Sequence, residues 1–316
     1  MKYMLTALFY LGFIVMLLCF PQQTVGYAYQ GLVQWATRMV PTLFPFMVIS
    51  SMMIYTGTDK YLTKILKPAL QPLFSCSTNG FYAIFMGFLC GFPMGAKVTC
   101  DLLKSKKITR DEAEYLLSFC NNIGPTYFLG IIYPFLHGCG YEKKWPFMIG
   151  IYGIPFVYGI CIGKFQKKSW FSGKEENDPL LSGILPVSKA IRLSCLSSIQ
   201  SILLLGGYVT FINAFRIIPD IAGLSACARA AFGGFLEIIH GIPEIYHATQ
   251  ISSDWKAFCI LVTVTFSGIC CMLQTSSILI EEDLPMKKYV LHKCMITGIS
   301  VVYYGVLIFF PFFNTK

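Results

Sequence analysis

Apolar residues fill long stretches of this chain, and polar residues are gathered into short loops between them. Met4 to Phe20 is the first such run, just long enough to span a bilayer. No clear cleavage site follows it in "PQQTVGYAYQ", so it reads as a first transmembrane helix, with a signal peptide as the alternative. Gly31 to Gly57 comes next, and Pro41 and Pro45 inside it predict a kinked span. "DKYLTKILKPALQPLFS" then places Lys60, Lys64 and Lys67 around Tyr61, Leu62, Ile65 and Leu66, the pattern of an amphipathic helix lying in the interface. Gly80 to Leu103 is apolar again, and "KSKKITRDEAEYLLSF" returns to water. Thr109 with Glu112 three residues later is a capping box that predicts a helix start there. "SFCNNIGPTYFLGIIYPFL" re-enters the membrane and Trp145 to Gly163 crosses back. Beyond a hydrophilic linker lie Ile191 to Ile218, the interrupted "GLSACARAAFGGFLEIIHGIPEIYHA", Trp255 to Ile280 and Tyr289 to Phe313.

These segments predict an all-α polytopic membrane protein: an N-terminal transmembrane helix and loop (1–30), a first repeat (31–163), a hydrophilic linker (164–188) and a second repeat (189–316). Composition agrees, because a chain that is 55% hydrophobic and 13% charged has too few charges to coat a soluble fold of 316 residues. The net charge of +9 sits in short loops, so it sets orientation in the bilayer and does not mark a nucleic-acid surface. Placing Lys2 in the cytoplasm puts Lys60, Lys64, Lys67, Lys104, Lys106, Lys107, Lys164, Lys167, Lys168, Lys287 and Lys288 on that side. The smaller set Lys143, Lys144, Arg216 and Lys256 lies opposite, so the amino terminus is expected in the cytoplasm. Most of the thirteen cysteines fall in apolar segments, with no CxxC pair and no zinc spacing, so neither a metal nor another cofactor is expected. No nucleophile–base pair or HExxH-type site is present, so no catalytic residue is assigned and an enzyme is not expected.

Two spans contain helix breakers where a membrane helix should be smoothest. In "GFLCGFPMGAK" and in "GLSACARAAFGGFLEIIHGIPEIYHA", glycine and proline would free backbone groups that hydrocarbon cannot satisfy, so irregular backbone there implies a protected or wet cavity. One offset carries Gly87, Phe88 and Leu89 onto Gly234, Phe235 and Leu236, and Phe119 onto Phe266. Each break is followed by a polar-interrupted span. If the first broken segment dips into the bilayer and returns to the cytoplasmic side, the second unit starts from the outer face, and the pattern then predicts two inverted repeats with re-entrant or broken helices, an architecture of secondary transporters.

The candidate binding residues lie at those breaks. Gly91, Pro93 and Gly95 allow close approach, and half-helix amino termini there favour anions. Lys97 either offers charge to an anionic solute or pairs with Asp101 at i, i+4. Glu237, His240 and Gly241 lie in the second break, where Glu237 either binds solute or a proton, or pairs structurally. Glu237, His240 and Glu244 share a face only if the backbone stays helical past Gly241 and Pro243. Asn121, Asn122, Gly124 and Pro125 in the first half, and Gln274 with Thr275 and Ser276 in the second, offer polar groups either to a ligand or to neighbouring helices.

At "MVPTLFPFMVISSMMI", "GFLCGFPMGAK", "EAEYLLSFCNNIGP" and "TFSGICCMLQTSSIL" the sequence resembles the YlbJ family of sporulation membrane proteins, also called SpoVV. That family lies within the wider Gate, or nucleoside-recognition, group related to spore maturation proteins and concentrative nucleoside transporters. The resemblance covers roughly Val40 to Lys293, and "GFPMGAK" with "FCNNIGP" is its most specific part. It implies a transporter-like fold in the membrane around the forespore, carrying a small anion such as dipicolinate. A nucleoside solute or a non-transporting scaffold are the alternatives, and a homo-oligomer is left open. Through it Gly91, Pro93, Gly95, Lys97, Asn121, Asn122, Gly124 and Pro125 are family motif positions. The chain departs from the pattern in its modest linker and in Cys270 and Cys271, where more glycine is expected.

Overall fold

The computed structural model describes residues 2–165 and 185–310, all helix and loop, with no strand among them. The expected linker falls mostly on 166–184, outside the described residues. Five helices, Pro21–Thr56, Trp145–Phe165, Val187–Ile221, Ser253–Glu281 and Met286–Phe309, are long and apolar enough to cross a membrane. The first apolar run forms the helix Lys2–Cys19.

The segment expected as a loop before Gly31 is instead helical, and Pro21–Thr56 runs through the domain boundary drawn at that glycine. Pro21 sits in the first turn, where its missing N–H costs nothing. The two internal prolines are accommodated by a π turn at Trp35–Met39, just ahead of Pro41. This helix packs along Val187–Ala214. Gly206 leaves room for the Trp35 indole, whose Nε1–H donates to the Ile202 carbonyl at 2.8 Å. Such small-residue contacts matter because lipid supplies no hydrophobic drive between helices.

Asp59–Leu70 is the expected amphipathic helix, with Tyr61 and Ile65 exposed and Leu62 and Leu66 packed inward. Its buried Asp59 accepts from Lys107 at 2.7 Å. Burial holds the Lys107 ammonium below its ordinary range, while the Asp59 charge works against that drop. Thr109 caps Arg110–Leu117 by accepting from the Glu112 backbone N–H, as its spacing predicts.

The remaining elements form two hairpins and two broken spans. Gly80–Cys90 and Met94–Lys104 are the arms of hairpin 1, joined at Gly91 to Pro93. Arg110–Leu117 and the helical run 125–138 form broken span 1, separated by irregular backbone at 118–124. Ala226–Leu236 and Ile238–His247 are the arms of hairpin 2, hinged at Glu237. Ser253–Phe266 and Gly268–Glu281 form broken span 2, interrupted at Ser267. The second break thus lies at Glu237, and the helix continues through Gly241 and Pro243. Gly241 is pressed against the backbone of Gly233 and Gly234 on the opposite arm, too closely for a side chain.

Candidate functional site

The tip of hairpin 1 is built to touch backbone. Gly91 adopts φ +86°, a conformation that L side chains rarely take, and turns the chain into the cis Phe92–Pro93 bond. Met94 N–H donates back to the Gly91 carbonyl at 2.8 Å and Lys97 N–H to the Pro93 carbonyl at 3.0 Å. Gly87 and Gly95 both face the Cys120 carbonyl, so closely that a Cβ on either would overlap it. Gly124 abuts the Cys90 carbonyl and Gly91 in the same way, and Pro125 starts the next helix. The predicted glycines and prolines of the first half are therefore one contact, hairpin tip against broken span.

That contact displays a polar cluster. Asn121 donates through Nδ2 to Thr275 Oγ1 at 3.1 Å and to Tyr289 Oη at 3.0 Å, and its Oδ1 is buried without a partner. Asn122, equally buried, donates to the Phe119 carbonyl at 2.6 Å, which satisfies backbone freed by the break. Gln274 donates to Cys270 Sγ at 3.2 Å, and Ser276 is half-buried on the same helix.

The tip of hairpin 2 rests on the second break. Gly268 stands against the carbonyls of Phe235 and Leu236, to which a Cβ would be 3.3 Å. Glu237, 2% exposed, accepts from Ile239 N–H at 2.8 Å and His240 N–H at 3.0 Å, and His240 Nδ1 lies 3.1 Å away. The side chain caps the half-helix, so of the two readings of Glu237 the structure forms the structural pairing, with backbone N–H groups and His240 as partners. Glu244, on the same helix, pairs with Arg216, whose guanidinium also covers the Tyr27 ring at 4.8 Å.

Lys97 is likewise engaged. Its ammonium is 2.9 Å from Asp101 and 2.9 Å from Ser197 Oγ, while Asp101 also accepts from Ser51 at 2.9 Å. The structure thus forms the i, i+4 pair, and buries it. A further cation escapes the sequence pattern. Lys293, in the last span, is 4% exposed, donates to the Asn121 carbonyl at 3.2 Å and stands 4.5 Å from the Phe92 ring centroid. A lone lysine deep in an apolar helix is the signal that could have found it, but it comes soon after Lys287 and Lys288 and reads as one more loop charge.

Residues 36–142 match the Gate family, described as nucleoside recognition, and this span contains hairpin 1 and broken span 1. The whole chain also aligns with the sporulation integral membrane protein YlbJ of Bacillus subtilis (strain 168), at 23% identity over 98% of this chain and 84% of that protein. No solved structure matches this chain. The resemblance read from "GFPMGAK" and "FCNNIGP" is therefore borne out, and those two motifs are the ones that make the hairpin 1 contact. Both findings agree with a multi-pass membrane protein of the kind named in sporulation.

Proposed function

We propose that the chain is a transporter that passes a small organic anion through the membrane during spore formation. One observation carries this: each half folds into a hairpin whose tip rests on the break of a broken span, buried in a bundle of membrane length. Irregular backbone at that depth is tolerated where it is buried in protein or lines a wet cavity, and paired broken elements are the working parts of alternating-access carriers. On this reading the halves are oppositely oriented repeats, the amino terminus lies in the cytoplasm, and the membrane is the one around the forespore, as the similarity to YlbJ suggests. On the same reading Asn121 and the turn at Gly91 to Pro93 stand on one side of the path and Glu237 and His240 on the other, with Gly95, Gly124 and Gly241 packing the backbone behind them. Lys97 and Asp101 then form a charge pair behind hairpin 1 that can open to solute.

The nucleoside-recognition description of the matched family favours a second reading, in which the solute is a nucleoside. Purified full-length protein in sealed vesicles, offered labelled dipicolinate and labelled uridine in parallel, separates the two. Uptake of dipicolinate down its gradient is expected, uridine uptake alone would favour the nucleoside reading, and flux of neither through inserted protein would leave a scaffold in spore assembly.

A further inference from the structure

We infer that Lys293 is the residue that receives the anionic group of the solute, a carboxylate or a phosphate, where hairpin 1 meets broken span 1. The inference rests on the transport reading and adds to it the residue that reads charge.

Other buried cations of the bundle have acids beside them. Lys97 has Asp101, Lys107 has Asp59 and Arg216 has Glu244. Lys293 is as buried as any of these, yet no carboxylate among the described residues pairs with it. Its contacts are one carbonyl, that of Asn121, and the face of Phe92. An ammonium has three donors, so one carbonyl and one ring leave it incompletely met in a place where uncompensated charge is expensive. Such a group marks a binding site in a membrane protein more often than it marks a strut.

A second observation is independent of the first. The Asn121 Oδ1 and Tyr127 Oη atoms, both on broken span 1, are buried with no hydrogen-bond partner. An unmet acceptor on the residue whose carbonyl the Lys293 ammonium holds describes a cluster shaped for something that brings its own polar groups.

Position gives the assignment a mechanical sense. Phe92 is at the turn of hairpin 1 and Asn121 is in the irregular part of broken span 1, so both partners of Lys293 sit on interrupted backbone. An anion that takes the ammonium away from the Asn121 carbonyl and the Phe92 face loosens a side chain that bridges tip and span. Lys97 is a poorer candidate because Asp101 already neutralises it.

The experiment uses the full chain in sealed vesicles with three labelled probes: dipicolinate for a carboxylate, uridine monophosphate for a phosphate and uridine for an uncharged solute. Loss of a hydrogen bond to a charged group predicts that Lys293→Met lowers uptake of the anionic probe by about tenfold or more. Lys293→Met with wild-type anion uptake overturns the inference and leaves the transport reading standing. Wild-type protein that carries uridine but neither anion also overturns it, and protein that carries none of the three removes both readings. Asn121→Asp guards against a misfolded lysine variant, since it supplies a carboxylate beside the ammonium. Aspartate gives up the Nδ2 donations to Thr275 and Tyr289, so no gain in melting is expected; the variant is expected to lose anion uptake, and a folded Asn121→Asp protein with full uptake would overturn the assignment.

Discussion

Hairpin 1 and hairpin 2 share a plan but are held in different ways. At the same offset in each half stand Gly87 and Gly234. A Cβ on Gly87 would overlap the carbonyl of Cys120, which belongs to broken span 1. A Cβ on Gly234 would meet Ile245 Cδ1 at 3.0 Å and Thr263 Cγ2 at 3.2 Å, both side-chain ends. The closest approach in hairpin 2 is between its own arms, at Gly241 against Gly234. Hairpin 1 is thus locked by backbone to the span beside it, whereas hairpin 2 is locked to itself and rests on its span through Gly268. A self-contained hairpin can shift as a body. The difference makes hairpin 1 the candidate for the fixed wall of the site and hairpin 2 the candidate for the moving one.

The largest effect expected from this contrast is at Gly87. Added volume in a packed site costs about 1–3 kcal/mol when side chains yield, and more when the obstacle is a carbonyl that cannot move without its chain. Gly87→Ala should therefore lose most folded protein, read as the monodisperse fraction after detergent extraction. A wild-type yield would break the claim that hairpin 1 is anchored. Glu237 comes next. Removing an N-cap costs about 0.5–2 kcal/mol, and burial of the two freed N–H groups places this one at the upper end. Glu237→Ala should melt several degrees below wild type, while Glu237→Gln, which keeps an acceptor oxygen, should lose less. Equal melting of the two would mean that the charge, and not the cap, holds the tip of hairpin 2.

Much of this architecture was legible because breakers in a membrane helix have few explanations. Gly91, Pro93 and Gly95 announced a turn, Thr109 announced a helix start, and the Asn121–Asn122 pair announced a polar break, each through local chemistry that the surrounding fold did not override. The second break was harder to place. Gly241 and Pro243 are strong breakers in isolation, but both lie inside a helix whose Gly241 packs on the facing arm, and the chain breaks at Glu237, whose carboxylate caps Ile238–His247. Pro21 was obscured for the reverse reason, since polar residues after it suggested a loop while its place in a first turn permits a helix. Lys293 needed the tertiary structure, because a lysine with an acid beside it and a lysine without one look alike along the chain.

The smallest expected effect tests the moving wall from the other side. Gly234 is helical, so an alanine there gains about 0.5–1 kcal/mol in backbone entropy, which offsets the few tenths of an ångström that Ile245 and Thr263 must yield. Gly234→Ala should consequently melt within about 1 kcal/mol of wild type, because side-chain ends can rotate where a carbonyl cannot. Its effect should fall on rate instead, since a fuller hairpin 2 sliding past Thr263 meets more resistance. Slower uptake with unchanged melting is the expected result. A melting loss equal to that of Gly87→Ala would show both hairpins to be anchored alike, and the division into fixed and moving walls would fail.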